Sequence, residues 1–324
     1  MRSGMRYLAR RLAHGILLVA AVSVLSFVFA KLAPGDFYSD LQADPRISRS
    51  TIEDLRARAG LRGSWPAQYA AWATSLARGD FGYSLAYQGP VAPILWERAR
   101  ATLLLTGTAT FAAWLLALPL GVWNAVQRGT WKDAAARTSL AVLVFLPDVL
   151  LALLFLMLAV RTGWFPTGGM RSAGFESLSA ARQAADVGWH LALPAAVLVL
   201  GMLPVLVRHV RSAMAGALDA PFALAARAHG IPRRRRLFRH LLPAAVNSLI
   251  PLAGLSLGTL LSASLLVEIV MGWPGLGPLF LDAVMARDGA VVLAVVMLSA
   301  VFLVVGNLLA DLLLYAADPR IRVQ

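Results

Sequence analysis

Few residues of this 324-residue chain could do chemistry, and their spacing forms no catalytic set. The five histidines (His14, His190, His209, His229 and His240) make no HExxH and no paired spacing suited to a metal. Cysteine is absent, which removes disulfides, thiolate metal sites and a cysteine nucleophile. Lys31 and Lys132 are the only lysines and neither follows a glycine, so a phosphate-cradling loop with its lysine is excluded. No GxSxG elbow is present. What remains is a scatter of polar residues in strongly apolar stretches: Asp148, Glu268, Asn307 and Asp311. Acids inside a membrane span mark ion or substrate paths by default, so an ion-coupled secondary transporter built on Asp148, Glu268 and Asp311 is one reading. Such carriers usually carry an internal repeat, and none is visible here. Glu268 and Asp311 also read as lying near the membrane interfaces, where solvation is cheap. A membrane-embedded enzyme would need His, Asp or Glu clustered at one membrane face, which the sequence does not show.

The elements that must hold these residues follow from composition. The chain is 59% hydrophobic and 15% charged, against about 25% charged in a soluble protein. A water-soluble enzyme does not fit, and the net charge of +13 has too little polar surface to form a nucleic-acid groove. A polytopic membrane protein explains both numbers, because Lys and Arg collect in cytoplasmic loops. A crossing helix needs about 20 mostly apolar residues. Six stretches meet that length, roughly 12–32, 101–123, 138–160, 189–207, 243–270 and 290–314. The expected fold is therefore an all-α, six-helix membrane bundle. Arg2, Arg6, Arg10 and Arg11 precede the first apolar run as in a signal peptide, but the run is too long and lacks a cleavage site, so it reads as a retained helix. With the N-terminus inside, the cytoplasmic pieces 1–11, 124–137, 208–242 and 315–324 carry 17 Lys and Arg against three acids, Asp133, Asp219 and Asp318. The external pieces hold 13 against 11. Both termini are expected in the cytoplasm.

Two connections are larger than linkers. The external segment 33–100 has balanced charge and several Trp and Tyr, with a short helix predicted at Thr51 to Arg58 (capped by Thr51) and a second from Pro66 to Leu76. It reads as an ordered cap. The five-helix remainder, 101–314, contains the cytoplasmic loop 208–242. From Asp219 that loop reads DAPFALAARAHGIPRRRRLFRHLLP: an alanine-rich helix ended by Gly230, a turn at Ile231-Pro232, and a basic amphipathic helix entering the fifth span at Pro243. The arginines Arg233 to Arg236 suit anionic lipid and topology, and the helix ending at Gly230 suits docking in another protein's groove. Pro119, Gly121, Pro147, Pro194, Pro204, Pro251 and Gly254 are candidate bend points or packing devices in the spans.

The loop resembles the EAA loop of permease subunits of ATP-binding-cassette importers. Ala225 and Ala226 stand for its alanines, Gly230 for its glycine and Leu242-Pro243 for its Leu-Pro, with spacing kept. Leu224 replaces the glutamate and His240 the isoleucine, both as in the dipeptide/oligopeptide branch. Ala225, Ala226, Arg227, Ala228, Gly230, Arg239 and His240 match that branch, whereas His229 and Pro221 depart from it, which touches the docking contacts. The match continues along the chain through LAPGD (Leu32 to Asp36, followed by Phe37), RGDFGYS (Arg78 to Ser84), Pro90-Val91, ATLLL (Ala101 to Leu105), LPLGV (Leu118 to Val122) and GWFPTGG (Gly163 to Gly169). It ends with Glu268, GWPGLG (Gly272 to Gly277), Arg287-Asp288, Asn307, Asp311 and DPR (Asp318 to Arg320).

The resemblance implies a multi-pass subunit of the bacterial cytoplasmic (inner) membrane, forming half of a pathway for peptides or a related solute. It implies a second homologous permease, two cytoplasmic ATPase subunits on the coupling residues Ala225 to Gly230, Arg239, His240, Leu242 and Pro243, and an external solute-binding protein meeting the turn Pro274, Gly275, Leu276 and Gly277. ATP and Mg would be bound on the partner subunits and no cofactor on this chain, the lipid bilayer being its other partner and nucleic acid none.

Overall fold

The computed structural model describes residues 2–33 and 64–317, with side chains over 9–33 and 64–312. The predicted helix at Thr51 to Arg58, most of LAPGD and the DPR tail lie outside the described residues. The regular elements of the described residues are helical apart from one hairpin of two-residue strands. In chain order the helices are α1 (Arg2–Leu32), α2 (Trp65–Ala77), α3 (Val91–Val126), α4 (Trp131–Val144), α5 (Asp148–Thr162) and α6 (Ala180–Asp219). They are followed by α7 (Pro221–Ala228), α8 (Arg233–Arg236), α9 (Leu242–Val270), α10 (Leu276–Met285) and α11 (Gly289–Ala317). The hairpin pairs β1 (Tyr83–Ser84) with β2 (Gly89–Pro90), Tyr83 opposite Pro90.

Among the described residues five helices are long and apolar enough to cross a membrane, or six if the bent pair α4 and α5 counts as one span. The single helix expected over 138–160 is instead broken, the two parts meeting at 93°. Pro147 is the reason: it lacks an N–H and forces the preceding residue out of the helical region, and its own backbone is extended (φ −60°, ψ 142°). The other candidate bend prolines, Pro119, Pro194, Pro204 and Pro251, sit inside continuous helices. The two glycines are packing devices. A Cβ on Gly121 would come within 2.5 Å of the Val210 Cβ, and one on Gly254 would collide with Ala310. Small residues let α3 approach α6, and α9 approach α11, as membrane helices require when apolar burial gives no preference between lipid and protein.

The described residues form two compact units. The larger contains residues 102–273 with 2–9 and 305–317. In it α6 packs along α9 and against α4 and α5, and α5 also meets α9. Trp114 on α3 donates its indole N–H to the Ser256 hydroxyl on α9 at 2.9 Å. The two glycine-rich turns of the sequence meet, Gly169 donating its N–H to the Gly272 carbonyl at 2.9 Å. The smaller unit contains 10–33, 64–101 and 274–304. Helix α2 begins with Pro66 in its first turn and matches its predicted bounds to within a residue. It lies against α1 through a hydrogen bond between the Ser23 and Tyr69 hydroxyls (2.8 Å) and through Phe27, whose ring is 5.5 Å from Tyr69 and 5.9 Å from Trp72.

Candidate functional site

Helix α6 carries the site outward. Its 40 residues extend about 60 Å at ~1.5 Å each, twice the ~30 Å of a hydrocarbon core, so the helix is longer than one crossing needs. The chain leaves α6 through an extended Ala220 and re-enters helix at Pro221, where the missing N–H is no loss. Helix α7 stops at Gly230, whose φ of +68° is the left-handed conformation glycine adopts without strain. The Ile231 N–H returns to the Ala226 carbonyl at 3.2 Å, the long back-bond of a Schellman end. Pro232 starts α8, and a π turn over Leu237–Leu241 carries the chain into α9. Pro243 has no N–H to return to the Arg239 carbonyl, so the regular ladder cannot pass it and the wider turn takes up the mismatch.

The face that α7 turns inward is made of Ala223 and Ala226, both buried. Ala223 joins a core cluster with Ala125, Val210, Met214, Ala217, Leu241 and Ala245. The opposite side is solvent-facing: Phe222 is 44% and Leu224 61% exposed, and Ala225, Arg227, Ala228, His229 and Gly230 are exposed beside them. Arg239 and Pro243 are exposed and His240 and Leu242 half-buried. Of the predicted coupling residues, then, Ala226 anchors the helix while its neighbours form the open face. Phe222 was not singled out from the sequence, and Leu224 stood only as a substitution. The signal was present in the alanines three apart at 223 and 226, which mark the inward side.

Beneath this loop is an ion-pair network that the sequence did not announce. Asp133, almost fully buried on α4, accepts from Arg211 Nε and Nη2 on α6, both at 3.0 Å. The Gly129 N–H donates to the same carboxylate at 3.3 Å, and Arg137 lies 3.6 Å away. An exposed pair, Arg128 with Asp219 at 2.8 Å, closes the end of α6 just before α7. The partners are 78 residues apart in the first case, so no local pattern reveals them.

Asp148 is half-buried in the first turn of α5 and lines a cavity with Gly201, His209, Ser256 and Thr259 that includes neither Glu268 nor Asp311. Glu268 is fully buried two residues before the end of α9. Helix α9 is apolar on every side there, so its sequence carries no sign of which face is covered. Asn307 and Asp311 are half-buried on α11. In the turn expected to be external, Gly275, Leu276 and Gly277 are buried and Pro274 half-buried, and Gly275 is the residue from which α10 starts. Two other sequence motifs do come together. Asp288 accepts from the Ser84 hydroxyl (2.7 Å) and the Ala86 N–H (3.1 Å) with one oxygen, and from the Val291 N–H at the start of α11 with the other (3.3 Å). Nearby, burial and the Asp282 carboxylate 3.4 Å from its hydroxyl raise the Tyr87 phenol above its ordinary value.

Comparison with known proteins bears on the whole arrangement. The profile of the family described as binding-protein-dependent transport system inner membrane component matches residues 117–323. The oligopeptide transport system permease protein AppB of Bacillus subtilis (strain 168) is 36% identical over 317 residues, 97% of this chain and 98% of that one. The glutathione transport system permease protein GsiC of Salmonella choleraesuis is 32% identical over 319 residues, 98% and 99% of the two chains. An inward-facing structure of the MetNI methionine ABC transporter shares the fold, with a TM-score of 0.57 at 21% identity, over 69% of this chain and 96% of that one.

Proposed function

The chain belongs to the family of binding-protein-dependent transport system inner membrane components, and we propose that it forms half of the pathway of a peptide importer and is driven through α7. As a member of that family it is a multi-pass inner-membrane permease of an ATP-binding-cassette importer, the transport subunit and not the ATPase. Such permeases work with a second permease, ATPase subunits and a binding protein. The observation that carries the proposal for α7 is its two-sided build: Ala223 and Ala226 are buried, Ala223 in the core cluster, while Phe222, Leu224 and Ala225 are exposed. Exposed apolar side chains on a short helix of the loop expected in the cytoplasm support contact with a partner's groove.

In this reading two ATPase subunits close on ATP, and the α7 helices of this chain and its partner permease move with them. The clustering of Ala223 with Val210, Met214 and Ala217 of α6 supports transmission between α7 and α6, and the Asp133–Arg211 bond ties α6 to α4. The basic-residue asymmetry supports six spans, the α4–α5 pair counted as one, with both termini in the cytoplasm and 33–100 forming an external cap. The cargo is drawn from the relatives: carriers named for oligopeptides and for glutathione both handle peptide-like solutes with a free ammonium and carboxylate. The ion-coupled alternative loses support because the cavity that Asp148 lines includes neither Glu268 nor Asp311.

The test is co-expression of the tagged chain with its genomic neighbours and purification in mild detergent. Recovery of a second permease and ATPase subunits is expected. Because the native chain has no cysteine, a single cysteine at Leu224 should cross-link to the ATPase. A chain recovered alone, under conditions that preserve a known importer, would overturn the proposal.

A further inference from the structure

Within the larger unit, α5, α6 and α9 surround a partly open cavity of about 190 Å³. Its walls are mostly aliphatic, with polar groups from Asp148, His209, Ser256 and Thr259. Both hydroxyls are already committed as donors, Ser256 to the Ala253 carbonyl and Thr259 to the Leu255 carbonyl. Ser256 also accepts the Trp114 indole N–H. The Asp148 carboxylate has no hydrogen bond or ion pair among the described residues, His209 included. Gly201 on α6 makes its seat: a Cβ there would meet Asp148 Oδ1 and push the carboxylate from the place where it lies against α6.

A carboxylate in such surroundings is costly unless a positive group or strong donors meet it. The cavity holds on the order of six waters by volume, too small for a peptide but sufficient for an ammonium group and the carbon that bears it. We infer that Asp148 is a cargo-recognition residue whose carboxylate receives the ammonium terminus of a passing peptide. This rests on the peptide-import reading above and names the group in the pathway that would recognise the cargo.

The assembled importer, reconstituted in lipid nanodiscs, is treated with a hydrophobic carbodiimide, which labels carboxyls in apolar sites, and the label at Asp148 is quantified by peptide mass mapping. Dialanine is expected to suppress that label several-fold, whereas N-acetyl-dialanine and sodium chloride leave it unchanged. No label at Asp148, a label indifferent to dialanine, or equal protection by the acetylated peptide or by sodium overturns the inference. In proteoliposomes Asp148→Asn and Gly201→Ala are each expected to lower ATP-driven dialanine uptake about tenfold or more, the loss of one charge-assisted hydrogen bond, with unstimulated ATP hydrolysis retained. Wild-type uptake by Asp148→Asn would overturn it. A wild-type complex in which dialanine protects Asp148 yet is never imported would instead refute the peptide-import reading and support the ammonium site.

Discussion

Leu224→Asp should separate the two sides of α7. The side chain is 61% exposed, and full burial of a leucine is worth about 1.5–3 kcal/mol, so covering the exposed part in a partner's groove contributes roughly 1–2 kcal/mol. Losing it weakens ATPase docking about five- to thirtyfold. A carboxylate left in an apolar groove adds a desolvation cost of similar size, so the aspartate should weaken docking more than Leu224→Ala does. The fold itself should hardly notice, because exposed substitutions of this kind stay within about 0.5 kcal/mol. The assay is paired: affinity of the ATPase subunits for detergent-solubilised permease, and solute imported per ATP hydrolysed, against the unfolding midpoint of the permease alone. Ala226→Asp is the contrast. Ala226 is buried on the inward side of α7, so a charge there should damage the fold and report little about docking. Wild-type affinity and coupling in a stable Leu224→Asp variant would refute the reasoning, since the exposed face of α7 would then touch nothing.

Asp133→Asn leaves Arg211 without its counter-charge, and because the Arg211 side chain is 26% exposed the cost should be about 2–3 kcal/mol, below that of a fully buried pair; the unfolding midpoint should fall, and the double variant Asp133→Leu/Arg211→Met should recover most of the loss. Gly230→Pro cannot adopt a φ of +68°, so membrane insertion should be normal while uptake and ATP hydrolysis uncouple; normal transport would remove this loop from the mechanism. Asp288→Ala removes the bonds to Ser84 and Ala86 and the cap on Val291, costing about 1–2 kcal/mol, and limited proteolysis should then cut the 83–90 hairpin faster than in the wild type.

What was legible in the sequence divides along a physical line. Length and charge placement are local, so the long spans, the α2 start at Pro66 and the stop of α7 at Gly230 could be read directly. Facing is not local. In a soluble helix, hydrophobic periodicity says which side is covered, but a helix apolar all round, such as α9, carries no such stripe, and that is why the burial of Glu268 could not be read from the sequence. Close approaches at Gly121 and Gly254 and the Asp133–Arg211 bond decide the packing instead, and each depends on a partner far along the chain. The broken third span is the instructive case, because five prolines were candidates and one breaks its helix. Pro119, Pro194, Pro204 and Pro251 are each followed by an apolar residue and stay within helices, whereas Pro147 is followed by Asp148. Proline before an acidic first turn is how a helix begins: the fixed φ lies ahead of the first N–H groups, and the carboxylate meets their positive end. The residue pair 147–148 therefore ends one helix and starts another at a single point. It also delivers a carboxylate to the cavity beside Gly201, so the chain break and the candidate cargo group have one origin in the sequence.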